Sequence, residues 1–342
     1  MRAKRSFVCR HVEFDQVVDL SKALWPSTGD VVLAAVNELG HHVRLESPEG
    51  RRVQLYVGDE VLVAYGARYA PDQFESVVPS DMGACDLVAA GGIASRVIAR
   101  HANVKRPTVI TPLGILTDAA GCAINLRRFV DMPLRKPAVA HQVVAVVGTS
   151  MNAGKTTAAA NLIRGLSQGG LRVGACKLTG TGSGGDLWAM RDAGAVLALD
   201  FTDEGFATTA GADLAELEQA ARRLLDRVES ADLDVVVVEI ADGLLQRETA
   251  ALLNTASFVD RLDAVLLAAA DSLGALMGAA WLRERHLPLR AVTGLLTSSP
   301  LAAREAQQHL DVDVVHTAML LDSTYVTRLC FQGARRSLSA VR

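Results

Sequence analysis

The stretch with the clearest chemical content is Gly148-Thr149-Ser150-Met151-Asn152-Ala153-Gly154-Lys155-Thr156-Thr157. Glycines in a short turn let backbone N–H groups converge, and a helix that follows adds its own unpaired first amides. Such a cradle suits phosphate, because the helix dipole and the exposed N–H groups both favour an anion. Lys155 supplies a point charge for the β and γ phosphates, and the Thr156 hydroxyl is a ligand for Mg2+. The simple pattern for this loop, G-x-x-x-x-G-K-[ST], is not met. Its first glycine position holds Thr149, and the glycine comes one residue earlier, at Gly148. The competing reading is an ordinary strand-to-helix turn with a capping glycine and a surface lysine.

Other residues carry weaker signals. Thr179-Gly180-Thr181-Gly182-Ser183-Gly184-Gly185 is dense in glycine, and with Lys177 beside it reads as a second anion nest for the carboxylate or phosphate of a substrate. A flexible connector is the alternative. Asp200, Asp203 and Glu204 cluster after a strand run and suit either a polar substrate or a solvated turn. Arg247 is a candidate substrate contact, and Glu248 suits the start of a helix. His41 and His42 fall in an expected turn and read as solvent-facing. Asp59 and the run Tyr69 to Phe74 suit either a contact surface or a structural role.

The elements that must position these residues follow from hydrophobic periodicity. From His141 onward, apolar runs alternate with helical segments: Val143 to Val147, Val173 to Leu178, Ala195 to Phe201, Val235 to Ile240, Ala264 to Ala270, Ala291 to Leu296 and Val312 to Leu320. Near-continuous apolar strands belong to a parallel sheet covered on both faces. Right-handed crossovers then bring every strand's carboxyl end, with its loop, to one edge. The first helix is expected over Lys155 to Ser167, stopped by Gly169-Gly170. Upstream, Val31 to Val36, His42 to Leu45, Val53 to Tyr56 and Val61 to Tyr65 read as four short antiparallel strands of a small barrel or sandwich. Leu87 to Ala90, Ile93 to His101 and Thr108 to Ile110 then read as strand, helix, strand. The expected class is α/β, a mostly parallel sheet with helices on both faces, preceded by a smaller β-rich domain. The expected division is 1–135, 141–325 and a tail at 326–342, with a change of character near Arg135-Lys136-Pro137.

Composition narrows the function classes. With 342 residues and half of them hydrophobic, the chain can build two cores of ordinary size. A net charge of -3 gives no electrostatic case for nucleic acid or an anionic membrane. The five cysteines are odd in number and widely spaced, which argues against a disulfide framework or a zinc site and for a cytoplasmic setting.

The form Gly-Thr-x-x-x-x-Gly-Lys-Thr at 148–156 resembles dethiobiotin synthetase and its relatives in the SIMIBI division of P-loop proteins. The resemblance covers about Gln142 to Leu321. It implies that Lys177 lies near substrate and transferred phosphate, and that Asp186 and Glu239 belong to a Mg2+ site. Mg2+ takes hard oxygen ligands and commonly only one or two carboxylates, which suits Asp186 and Glu239 beside Thr156. The blander readings are a helix cap for Asp186 and a strand-ending surface acid for Glu239. Two departures stand out: Leu178 replaces the family's proline, and Ile240-Ala241-Asp242-Gly243 replaces its glycine-rich segment. The family's base-reading asparagine has Thr297 and Ser298 at its place. The loop also resembles that of a P-loop group that includes D-glutamate N-acetyltransferases and, more loosely, that of the molybdopterin-guanine dinucleotide biosynthesis accessory protein.

The expected function is a Mg-ATP-dependent enzyme that transfers the γ-phosphoryl to an anionic small molecule, for ligation, cyclisation or phosphorylation. Lys155, Lys177 and Glu239 would serve the reaction, and Gly148 to Thr157 would hold the nucleotide. Thr156, Asp186 and Glu239 would hold the metal. A homodimer is expected, without nucleic-acid or membrane partners. Two alternatives stand beside it: a nucleotide-dependent switch or accessory protein, and an acyltransferase whose loop holds coenzyme A phosphates.

Overall fold

The computed structural model describes residues 3–130 and 142–331. The change of character at 135–137, the domain start at 141 and the tail from 332 onward lie outside the described residues. Two compact units are present. The first holds the described residues up to 130 together with two later segments, Gly180–Gly185 and Phe201–Ala212; the second holds the rest.

In the first unit five strands close on themselves. Their order is Glu60–Tyr65, Val31–Glu38, Thr108–Thr117, Cys85–Ala89 and Ile93–Arg100, which returns to Glu60–Tyr65. The closing pair is parallel, Ile93 opposite Ala64 and Ala94 opposite Tyr65, and the other pairs are antiparallel. Closure leaves this ring without a free edge. Alternate residues feed two cores. Val31 and Leu33 join Leu62, Ile93 and Leu116, while Val32, Ala34 and Val36 join Val63, Leu87 and Ile110. A hairpin of Arg44–Glu46 and Arg52–Gln54 stands as its own two-stranded sheet.

The helix expected over Ile93 to His101 is a strand instead. Ile93, Val97 and Ile98 are β-branched, and the segment pairs with strands on more than one side, so long-range ladders decide its conformation. The short βαβ segment is therefore absent.

The second unit carries a seven-stranded, all-parallel sheet: β1 Gln142–Gly148, β2 Val173–Lys177, β3 Leu197–Asp200, β4 Val235–Glu239, β5 Ala264–Ala268, β6 Leu289–Thr293 and β7 Asp313–Val314. Their order is β3-β2-β4-β1-β5-β6-β7. Val143 to Val147, Val235 to Val238 and Ala264 to Ala268 are buried throughout, as strands covered on both faces must be. Helices α1 Lys155–Gln168, α2 Gly185–Asp192, α3 Leu214–Glu229, α4 Arg247–Leu253, α5 Ala256–Val259, α6 Ser272–Glu284, α7 Pro300–Gln307 and α8 Ser323–Phe331 lie among the strands and after them. Helix α1 buries Ala158, Ala159, Leu162, Ile163 and Leu166, and ends where Gly170 turns left-handed at φ 83°. The apolar run 312–320 is not one strand: two residues pair as β7, and Thr317–Leu321 is a 3₁₀ turn. Helix α8 covers the first part of the segment read as a tail.

This is a P-loop NTPase fold preceded by a smaller β-rich part. No described helix is long and apolar enough to cross a membrane.

Candidate functional site

Strand β1 delivers the loop from the middle of the sheet. It pairs in parallel with β4 on one side and β5 on the other, so its exit point is fixed on both sides. Thr149 N–H continues the ladder to Ala268 O at 2.9 Å, and Leu244 N–H donates to Gly148 O at 3.0 Å. The loop's far end is braced by Leu295 N–H on Ala153 O at 2.9 Å. Asn152 (φ 62°) and Gly154 (φ 99°) make the left-handed bends that turn the chain into α1. A side chain at Gly154 would also press on Gly294 Cα at 3.1 Å. Among the described residues the amides of Ser150, Met151, Gly154, Lys155, Thr156 and Thr157 find no protein acceptor. These donors are the anion-binding capacity of the turn.

Lys155 is folded back over this turn. A Cβ on Gly148 would lie 2.8 Å from Lys155 Cγ and Cδ, so the glycine makes room for the lysine stem. Lys155 Nζ donates to Ser150 O at 2.7 Å. Burial lowers its pKa, and Glu239 and Asp242 work against that shift. A polyphosphate would supply the negative charge that this site withholds from the ammonium.

Three oxygen groups meet beside it. Thr156 Oγ1 is 3.1 Å from Asp186 Oδ1 and 3.1 Å from Glu239 Oε1. Asp186 stands in the first turn of α2, and Glu239 ends β4. Lys177, at the end of β2, donates to Asp186 Oδ2 and has Nζ 4.0 Å from Glu239 Oε1. Burial opposes the charge on Lys177, but Asp186 and Glu239 outweigh it and hold its pKa above the ordinary value. Burial likewise pushes Asp186 up, and Lys177 with Thr156 more than offsets it, leaving Asp186 below the usual range. Glu239 is 1% exposed, and burial raises its pKa to about 7. Its Oε2 is buried and has no hydrogen-bond partner among the described residues.

An orphaned carboxylate oxygen beside a second carboxylate and a hydroxyl is a donor set that fits a hard divalent cation such as Mg2+. Among the described residues no group of three or more His, Cys, Asp or Glu is placed to hold a metal ion, so the set here is two carboxylates and a hydroxyl.

The other sequence candidates behave differently. In the glycine-rich segment, Gly180 N–H donates to Thr209 Oγ1 at 2.8 Å and Gly182 N–H to Ala207 O at 2.9 Å. Gly184 N–H reaches both Glu46 oxygens, at 3.1 and 3.2 Å. An open anion nest there is not what forms, because these donors already have protein acceptors. Asp203 pairs with Arg10 at 2.7 Å and His11 at 2.8 Å within the first unit, and Asp200 and Glu204 are buried. That cluster is interior rather than substrate-facing.

Glu248 is buried and accepts from Gln246, while Arg247 reaches it at 3.3 Å. Thr297 is buried and donates to Gly294 O at 2.7 Å; Ser298 is exposed. His42 is not free in solvent. Its Nε2 lies 2.8 Å from Val88 O, and burial with Arg68 lowers its pKa to about 3. Glu46, which sequence reasoning passed over, emerges as the acid holding the glycine-rich segment. Its only signal was a charged residue closing a short strand.

A family model described as Molybdopterin guanine dinucleotide synthesis protein B matches residues 143–242. That stretch includes the loop, Lys177, Asp186 and Glu239. No curated protein matches the chain. Among solved structures, the chain is similar to the 54 kDa signal recognition particle protein of Aeropyrum pernix K1 in complex with GDP. The identity is 19%, over 61% of this chain and 51% of that one, with a TM-score of 0.39. It is also similar to the signal recognition particle receptor FtsY of Elizabethkingia anophelis in complex with GDP, at 17% identity over 60% and 68% with a TM-score of 0.37. A nucleotide-binding protein of Archaeoglobus fulgidus in complex with ADP gives 11%, 54%, 88% and 0.38 in the same order. The chain spans about half the length of the first of these. Neither the dethiobiotin synthetases nor the D-glutamate N-acetyltransferases are singled out.

Proposed function

We propose that the chain binds a magnesium nucleoside triphosphate on Gly148 to Thr157 and works as a nucleotide-dependent switch or accessory protein with slow hydrolysis. The observation that carries this reading is the convergence of Thr156, Asp186 and Glu239 within 3.1 Å contacts, beside a buried lysine folded over a turn rich in unpaired amides. In this reading the loop amides and Lys155 hold the β and γ phosphates, and Thr156, Asp186 and Glu239 hold Mg2+. The metal's contribution is to neutralise phosphate charge. Chain connectivity supports the switch: Asp186 is the first residue after Gly180–Gly185, a segment that belongs to the other compact unit.

A second reading has one observation in its favour. Lys177 is a held cation next to the carboxylates, suited to a phosphoryl group in transfer to an anionic small molecule. In that case the chain is an ATP-dependent ligase-like or kinase-like enzyme, with Lys155, Lys177 and Glu239 at the reaction centre. A homodimer, a cytoplasmic setting and the absence of nucleic-acid or membrane partners belong to the proposal in either form. Loading the loop with coenzyme A phosphates has less support, since it leaves the two carboxylates beside Thr156 without a task.

Calorimetric titration with ATP, GTP and acetyl-CoA, each with and without Mg2+, tests the proposal. Triphosphate binding that tightens with Mg2+ is expected. Hydrolysis indifferent to metabolites favours the switch, and metabolite-dependent ADP release favours transfer. Binding of acetyl-CoA without either triphosphate would overturn both.

A further inference from the structure

Lys177 closes β2, and the parallel register sets it directly opposite Glu239 of β4. Residues opposite one another in a sheet share a face, so the ammonium and the carboxylate leave the sheet on the same side. A lysine stem is long enough to carry its head group out to water. Lys177 does not use it that way: its side chain is 12% exposed. A buried ammonium needs an anionic partner, and this one has two. It donates to Asp186 Oδ2, and its Nζ stands 4.0 Å from Glu239 Oε1. All of these residues, with Lys155 and Thr156, belong to one compact unit.

The same two carboxylates meet the Thr156 hydroxyl, through Asp186 Oδ1 and Glu239 Oε1. Asp186 is therefore shared: one oxygen faces the hydroxyl and the other faces the ammonium. A divalent cation brought to the hydroxyl side would stand across a single carboxylate from a fixed positive charge. In a site with little water that repulsion is poorly screened. Lys155 adds a second positive charge over the neighbouring turn. A triphosphate shifts the balance, because it brings several negative charges against the two lysines. Mg2+ also favours substrate phosphates plus one or two carboxylates over a cage made of protein alone. We propose that Lys177 is the resident counter-cation of Asp186 and Glu239 and bars a bare divalent cation, so that metal is taken only together with the triphosphate. The inference rests on reading Thr156, Asp186 and Glu239 as the Mg2+ set. A lysine that merely steadied Asp186 would act in the opposite sense, since its loss would weaken the metal.

The test follows Mn2+, an ion with the same taste for hard oxygen ligands, by electron paramagnetic resonance on the full chain. Titrations are run at pH 8, above the value of about 7 that burial gives Glu239, first without nucleotide and then with a non-hydrolysable ATP analogue. Lys177→Met keeps the stem and removes the charge. The variant should bind free Mn2+ about tenfold more tightly than wild type. The factor by which the analogue tightens Mn2+ should shrink about tenfold as well, and comparison between variants cancels the analogue's own affinity for metal. Lys177→Arg, which keeps a permanent positive charge, should stay within about twofold of wild type for free Mn2+. Lys177→Gln drops the charge but keeps hydrogen-bond donors, and it carries the test if Lys177→Met does not fold.

Free Mn2+ bound equally or more weakly by Lys177→Met and Lys177→Gln would overturn the inference alone, since Lys177 would then do no more than steady Asp186. So would a wild type that binds Mn2+ as tightly without the analogue as with it. A wild type that binds no triphosphate, with or without metal, would overturn the proposed function and this inference with it.

Discussion

Two glycine-containing turns, at 148–154 and 179–185, are separated by α1 and β2 and end in opposite conditions. In the first, the amides of Ser150, Met151 and Gly154 and those opening α1 have no acceptor among the described residues, and a lysine is folded over them. In the second, the amides of Gly180, Gly182 and Gly184 are taken by Thr209, Ala207 and Glu46. Glycine gives both turns the same freedom of backbone. What separates an anion cradle from a structural joint is whether the rest of the protein already supplies the acceptors.

The comparison is broken most directly at Lys155. Lys155→Ala should lower triphosphate affinity by about two orders of magnitude, as expected when a desolvated charged contact is lost, while the melting temperature stays near wild type. Equal affinity in titration would place the phosphates elsewhere.

Glu239 sharpens the comparison next, through pH. With its folded pKa raised to about 7, the folded state holds a proton that the unfolded chain gives up near the ordinary carboxyl value. Stability of the metal-free protein should therefore fall as pH rises through that window, and the loss should be complete above it. Glu239→Gln, which cannot ionise, should flatten this fall and melt higher than wild type at pH 8. The same proton competes with Mg2+, so Mg2+ affinity should drop about tenfold per pH unit below 7 in wild type and lose that slope in the variant. Parallel melting curves at pH 5 and pH 8 would refute the assignment.

The smallest effect is expected in the second turn. Thr209→Val removes the acceptor of Gly180 N–H and should cost about 1 kcal/mol in urea unfolding, with little change in triphosphate affinity. An affinity loss matching that of Lys155→Ala would make the two turns equivalents after all.

The fold class was legible because its signals are local. Val143 to Val147 and Val235 to Val238 are unbroken apolar runs, and a turn and helix follow the first at once. Ile93–Arg100 misled because a strand paired on several sides owes its conformation to partners far away in sequence. The candidate site divides along the same line. Gly148 to Thr157 is one continuous segment, so its loop could be read directly. Glu46 lies 137 residues from Ser183, and no periodicity links an acid on a hairpin to a glycine-rich turn so distant. The sequence displayed the donors of that turn but hid their acceptor, which made it look like a ligand site.

The placement of β1 between β4 and β5 has a mechanical consequence. A strand held in register by two parallel neighbours cannot slide or tilt without tearing both ladders. The turn at its tip is thus anchored like a fixed jaw. Any movement that reports an arriving or departing ligand must be made by the opposing parts: the chain after β2 that leads to Asp186, and the bend at Asp242 and Gly243 after β4. Insertions or labels meant to track such movement belong there.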